Sequence, residues 1–426
     1  MTISDLHTTL YHLFTEKATE HGKASGWNQR KSPLPPSLFV QTLVFGCLEN
    51  PHATLNELAR IACRFGAEVT GEAICERFTP QVEELLKRVL QDAFTQVLQG
   101  EPVEVEWLQR FPGGFYLNDS TQVAWHDDWA PLWDGGGIAA AMKLPTCINM
   151  LRGGLQVEMI GARTHDSVTT WPNQDYPPES VIIEALGYLD QARMNTRAVN
   201  HVYSVMRYQS TIVLKTNHQR PLPLLKWLRR GPKRLKERAV WWNGVRYRLI
   251  AIPLAPENAE RQRESIRESA HKHHREPNST SLALADWVIV LTTLPQERTT
   301  AEQVAMLMRL RWQIELVFKF WKDQGKLDES RGYKPTRLQT ELYAKLLGLL
   351  VQHWLILTTG WAWVDRSLVL MGQTIREEIR ILCLVWPDLA QLSDWCQVLT
   401  RLIWKTARIS SHIHHPSTAY RLLLVS

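Results

Sequence analysis

The chain has 426 residues, enough for two or three domains, and its 44% hydrophobic content is that of a soluble globular protein with a sizeable core. Its six cysteines are scattered, with no C-x-x-C pair, which excludes a zinc ribbon or a dithiol redox motif and fits a reducing cytoplasm. The net charge of +6 is a modest basic excess, compatible with nucleic acid without demanding it.

The N-terminus lacks a basic stretch followed by an apolar run, so no secretory signal is expected. Residues 1 to about 105 read as helical. Thr54-Leu-Asn-Glu57 is a capping box, and Leu55, Leu58, Ile61 and Ala62 follow at helical spacing. Gly66 breaks that pattern, a second helix begins near Thr70, and a third runs from about Pro80 to Val97. Short helices joined by tight turns fit either a helix-turn-helix DNA reader or a plain bundle. The character changes near residue 105. Phe115-Tyr-Leu-Asn-Asp119 reads as a strand ending on an acid, Gly135-Gly-Gly137 as a turn, Leu155 to Ile160 as a strand, and Ser180-Val-Ile-Ile-Glu184 as a buried strand. A helix over Leu189 to His201 completes an α/β alternation.

Residues 210 to 255 read as β-rich, with Asn243-Gly244 closing a hairpin. Within this region Lys226 to Arg238 carries seven basic residues and one acid, either a phosphate-attracting patch or a solvated loop. Trp227, Trp241 and Trp242 lie in or beside it, where they could stack on bases or sit in the core. A charged helix over about Asn258 to Arg275 precedes a strand, Asp286 to Thr292. Beyond Pro335 the chain is helical again. The stretch Leu346 to Val364 contains no Asp, Glu, Lys or Arg, but Gln352, His353 and Gly360 favour a buried helix over a membrane span. The histidine clusters His271-Lys-His273-His274 and His412-Ile-His414-His415 lack the partners of a zinc set.

The most informative segment is a helix expected over Glu302 to Lys326, capped by Thr299 or Thr300. Leu307, Leu310, Ile314, Val317, Phe318 and Trp321 make one apolar face. Arg311, Glu315 and Lys322 stand at i, i+4 and i+11, and Lys319 joins their stripe. By spacing alone an ordinary exposed face is the better reading. Phosphodiester chemistry gives such a stripe a purpose, because a helix-borne carboxylate can hold a divalent metal while flanking cations hold phosphates.

In residue identity, Arg309-Leu-Arg-Trp-Gln-Ile-Glu-Leu-Val-Phe-Lys-Phe-Trp-Lys322 resembles the signature of DDE transposases of the insertion-sequence-four family: Tyr, two residues, Arg, three residues, Glu, six residues, Lys. Met308 stands at the Tyr position. Asp119-Ser-Thr121, Leu327-Asp-Glu-Ser-Arg and Glu341-Leu-Tyr-Ala-Lys-Leu-Leu also resemble that family, over roughly residues 50 to 360. The resemblance implies an RNase H-like mixed sheet flanked by helices: a helical region over 1–105 suited to DNA binding, a catalytic core over 106–330 with a β-rich insertion at about 205–285, and a helical region over 331–426. It implies Asp119 and Glu315 as catalytic acids and ligands of Mg²⁺, for which Mn²⁺ can substitute. Arg311, Lys319 and Lys322 would then be DNA-binding cations. Expected partners are double-stranded DNA, as terminal repeats and as target, and a second copy of the chain in the DNA complex; the expected location is the bacterial cytoplasm, at the nucleoid when bound. The second acid of the family falls on a strand end matching Ala185-Leu-Gly187-Tyr188, which places Ala185 where an Asp belongs. Glu184 could substitute only if the strand end twists, and Asp190 falls on the following helix. The resemblance thus implies an insertion-sequence transposase that cleaves and transfers strands. The alternative is a transposase-derived DNA-binding protein impaired in catalysis; an RNase H-like nuclease without transposition is a third reading.

Overall fold

A computed structural model describes all residues except 28–31, 126, 132, 136–138, 273, 410–421 and 423–426. The second histidine cluster, part of the Gly135–Gly137 turn and His273 of the first cluster therefore lie outside the described residues. The strands are β1 (Gly114–Trp125), β2 (Ala140–Asn149), β3 (Leu155–Val157), β4 (Ile160–Gly161), β5 (Ser180–Glu184), β6 (Tyr203–Arg207), β7 (Lys236–Trp242), β8 (Val245–Pro253) and β9 (Trp287–Thr292). The chain divides into two compact units. The first comprises the described residues of Met1–Val105, Ser120–Thr164 and Glu315–Tyr420, and the second those of Glu106–Asp119, His165–Ile314 and Arg421–Ser426. The helical N- and C-terminal regions thus cluster in one unit.

In the first unit the helix Pro335–Thr359 forms the core, packing on the helices Pro36–Glu49 and Pro80–Phe94. It is long and apolar enough to cross a membrane, yet 94% of its most apolar window is buried inside the protein. Polar side chains find partners there: Gln352 Nε2 donates to the Gly372 carbonyl at 2.6 Å, and Lys345 Nζ donates to the carbonyls of Lys326 and Glu329 at 2.8 and 2.6 Å. Gly348 permits close helix approach, since a Cβ there would lie 3.3 Å from the Val44 carbonyl oxygen. The Thr54–Glu57 capping box forms and opens the helix Leu55–Arg64, and Thr70 caps a short helix, Gly71–Cys75. Strand β2 pairs antiparallel with β3 and β4. It has no apolar alternation because every residue in it is buried, which is why its sequence does not announce a strand.

In the second unit the first part of β1 pairs parallel with β5, and β5 pairs parallel with β6 through the crossover helix Gln191–Val199. Strands β9, β8 and β7 continue antiparallel. The β7–β8 hairpin closes at Asn243 and Gly244, both with positive φ (45° and 84°), the requirement of a two-residue turn. Between β6 and β7 a short helix, Leu224–Arg229, interrupts the stretch expected to be β-rich. Trp227 and Trp242 pack against the apolar cluster of Val240, Tyr247, Leu249 and Leu291. Their burial energy goes to the core, not to an exposed stacking platform. The architecture is the mixed α/β, RNase H-like one expected.

Candidate functional site

The parallel register of β1, β5 and β6 aligns Asn118 with Glu184 and Glu184 with Met206. Residues in one such row share a face. Asn118 Nδ2 accordingly donates to Glu184 Oε1 at 2.9 Å and to the Tyr176 hydroxyl at 2.8 Å. From the crossover helix, Arg197 grips Glu184 in a fork, Nη1 to Oε2 at 3.0 Å and Nη2 to Oε1 at 2.9 Å. Arg197 also donates to the Pro172 carbonyl at 2.8 Å and lies over the Tyr176 ring. Glu184 is 1% exposed and Arg197 7%. A bidentate, fully buried pair of this kind holds both partners firmly. The twist that would turn Glu184 to the other face is absent, and its carboxylate is committed to Asn118 and Arg197.

One residue further, side chains point to the opposite face. Asp119 is there, and β1 does not end on it as the sequence implied but runs on to Trp125. Arg311 Nη1 donates to Asp119 Oδ2 at 3.1 Å, with the two side chains 26% and 18% exposed. Arg311 arrives from the helix Ala301–Leu310, which packs on β6 and β8 and starts at a capping box between Thr300 and Gln303. A cation at this helix end also answers the partial negative charge of the last carbonyls.

The single helix expected over Glu302 to Lys326 is two helices, Ala301–Leu310 and Trp312–Asp323, meeting at Arg311. Backbone dihedrals at Arg311 remain helical, but the Ile314 amide bonds back to the Arg311 carbonyl at 3.3 Å, a three-residue step that interrupts the ladder. A periodic apolar face cannot reveal such a break. Glu315, Lys319 and Lys322 belong to the first unit, where Glu315 sits in the first turn and Lys322 in the last turn of Trp312–Asp323. Both placements suit the helix dipole. Lys319 is exposed, Glu315 and Lys322 half-buried.

Other expected residues find ordinary uses. Ala185 packs against the Tyr188 and Met206 cluster. Asp190 caps the crossover helix by accepting from the Arg193 amide at 3.0 Å. In the basic stretch Lys226, Arg229, Arg230, Lys233 and Arg234 are exposed, while Lys236 donates to the Leu228 carbonyl at 2.6 Å and Arg238 lies over Trp227. His271 and His274 are exposed. Among the described residues no group of three or more His, Cys, Asp or Glu is assembled that could hold a metal ion. One residue passed unnoticed in the sequence: Arg207, the last residue of β6. Burial pulls its pKa below the ordinary guanidinium value, and the charge of Arg311 adds to that effect. A lone arginine after an apolar strand carries no spacing signal that could have singled it out.

A mixed sheet whose β1, β5 and β6 run parallel, with helices packed on its strands, is consistent with an RNase H-like fold. Residues 140–351, close to half of the chain, match the family model of the transposase DDE domain. Over these residues the chain carries a transposase DDE domain. It is 39% identical over 100 residues to the transposase of insertion sequence element IS421 from Escherichia coli, covering 24% of this chain and 27% of that one. It is 34% identical over 102 residues to the transposase of IS231F from Bacillus thuringiensis subsp. israelensis, covering 24% and 21%. It is 30% identical over 115 residues to the transposase of IS1151 from Clostridium perfringens, covering 27% and 24%. The matched segments span about a quarter of the length of these curated relatives.

Proposed function

We propose that this protein is an insertion-sequence transposase that binds the ends of its element and cleaves and transfers DNA strands with a divalent metal. The observation that carries the reading is the Asp119–Arg311 pair at 3.1 Å, an acid within β1 joined to a cation, on a chain that matches the DDE domain family. Asp119 and Glu315 are assigned as metal-binding acids. Arg311, Lys319 and Lys322 are assigned as phosphate contacts, the roles of the insertion-sequence-four signature. Carboxylate oxygens are the right donors for Mg²⁺ or Mn²⁺. When bound, such a cation supplies activation of the attacking oxygen and stabilisation of the leaving one. Arg311 does two things in this reading. It fixes the Asp119 carboxylate, and its planar guanidinium is well shaped for a phosphate. A second copy of the chain is expected in the complex, so that two ends are joined together.

A second reading is favoured by one observation. Glu184 is locked to Arg197, and Ala185 carries no carboxylate, so the strand end of β5 offers no second acid. The protein would then bind ends and cut poorly. The experiment that separates the two is strand cleavage of a plasmid bearing the element's ends, with Mg²⁺, Mn²⁺ or a chelator. The first reading expects metal-dependent nicking, abolished in Asp119→Asn. If the natural chain binds but does not nick, and Ala185→Asp does nick, the second reading holds. A chain that does not bind the ends at all would sink both.

A further inference from the structure

The face of the strand ends that carries Asp119 carries a second guanidinium. Asn118, Glu184 and Met206 form one row of the parallel register, so Asp119 and Arg207 each lie one residue past it and point to the other face. The Ala301–Leu310 helix packs on β6 and delivers Arg311 to Asp119 on that face. Arg207 is half-buried, and among the described residues neither an acid nor a hydrogen-bond acceptor pairs with its side chain. The charge that bears on it is that of Arg311, which is repulsive.

The contrast with the other arginines of this unit is informative. Arg197 has Glu184 and the Pro172 carbonyl; Arg248 has Glu237, Thr299 and the Leu294 carbonyl; Arg298 has Glu179, Tyr203 and the Arg110 carbonyl. These three guanidiniums are answered by acceptors, as burial of charge requires, whereas Arg238 lies over the Trp227 ring with its Nε buried and unpartnered among the described residues. Arg207 is half-buried beside a like charge, with no protein acceptor for its side chain among the described residues. A fold that needed only to fill this position would place an apolar side chain there.

We propose that Arg207 and Arg311 together form a seat for one phosphate of the DNA beside Asp119, with Arg207 a DNA-binding residue outside the Arg-Glu-Lys signature. The inference rests on the transposase reading for the owner of the phosphate; the two guanidiniums themselves call only for a doubly acceptor-rich anion. Two forks converging on one phosphate would cancel their mutual repulsion and pin the strand next to the acid. Lysine would meet the charge but not the fork.

The test uses the full chain and the variants Arg207→Met and Arg207→Gln. Melting temperature is measured in chloride and in inorganic phosphate at equal ionic strength. Affinity for a duplex bearing the element's terminal sequence is measured across a salt series. The expected result is that Arg207→Met melts at or above the natural chain in chloride and loses the rise given by phosphate. Its plot of log affinity against log salt should be shallower by about 1, the loss of one phosphate contact. A structural arginine would behave oppositely, with a lower melting temperature and an unchanged salt slope, and that result overturns the seat. Failure of Arg207→Met to fold would likewise count against it unless Arg207→Gln folds and shows the lost phosphate response. If the natural chain responds to phosphate but does not bind the duplex, DNA is not the source and the transposase reading falls. If it binds the duplex and both variants match it in slope, only the seat falls.

Discussion

Two adjacent positions of the same three strands, one residue apart, are treated in opposite ways. At the first, Asn118 and Glu184 are buried and answered by Tyr176 and a bidentate Arg197. At the second, Asp119 meets Arg311 in a partly exposed pair, and Arg207 meets no acceptor among the described residues. The first position resolves its charges internally and so holds the strands and the crossover helix together. The second sets Arg207 under the influence of the like charge of Arg311, which a bound anion would relieve. The difference teaches which carboxylate belongs to the structure and which to the proposed chemistry, although the two stand one register position apart on neighbouring strands.

The comparison can be broken most forcefully through activity. Asp119→Asn and Glu315→Gln should each lower strand cleavage by more than ~10²-fold with little change in melting temperature, because removal of a metal-binding acid exceeds the usual cost of losing an outer-shell partner. Cleavage gels in Mg²⁺, with thermal melts alongside, check this. Glu184→Ala or Arg197→Ala should instead cost about 3–5 kcal/mol of stability, the penalty for stranding one member of a buried pair. The double change to methionine should recover much of that loss, as a urea-unfolding cycle would reveal. If Glu184→Ala folded normally and lost only cleavage, Glu184 would belong with Asp119 after all. Asn118→Ala should cost about 1.5–3 kcal/mol, since its amide donates to a charged acceptor. The smallest effect is expected for Arg311→Lys: charge is kept and the fork is lost, so duplex affinity should fall by roughly tenfold, about 1.4 kcal/mol, with stability unchanged. An affinity equal to that of the natural chain would show that the fork is not used.

Much of the fold could be read from the residues for identifiable reasons. Ser180–Glu184 is a short run rich in β-branched residues that follows two prolines, and it forms the strand as read. The Thr54 and Thr300 caps and the Asn243-Gly244 turn are local chemistry, independent of what packs around them. Strand β2 escaped because complete burial erases alternation, and the break at Arg311 escaped because dihedrals there stay helical. The fate of Glu184 was unreadable because its partner Arg197 lies on the crossover helix, and only folding brings the two within 3.0 Å.

By itself the sequence pointed to the family, since residue identity is a local property of the chain and residues 140–351 match the transposase DDE domain. It also determined the α/β class, through patterns that each short segment carries alone. Only the tertiary structure decided which face of the strand ends each charge occupies. That choice depends on the register of three strands distant in sequence, and a shift of one residue would have exchanged Glu184 for its neighbour and turned every side chain to the opposite face.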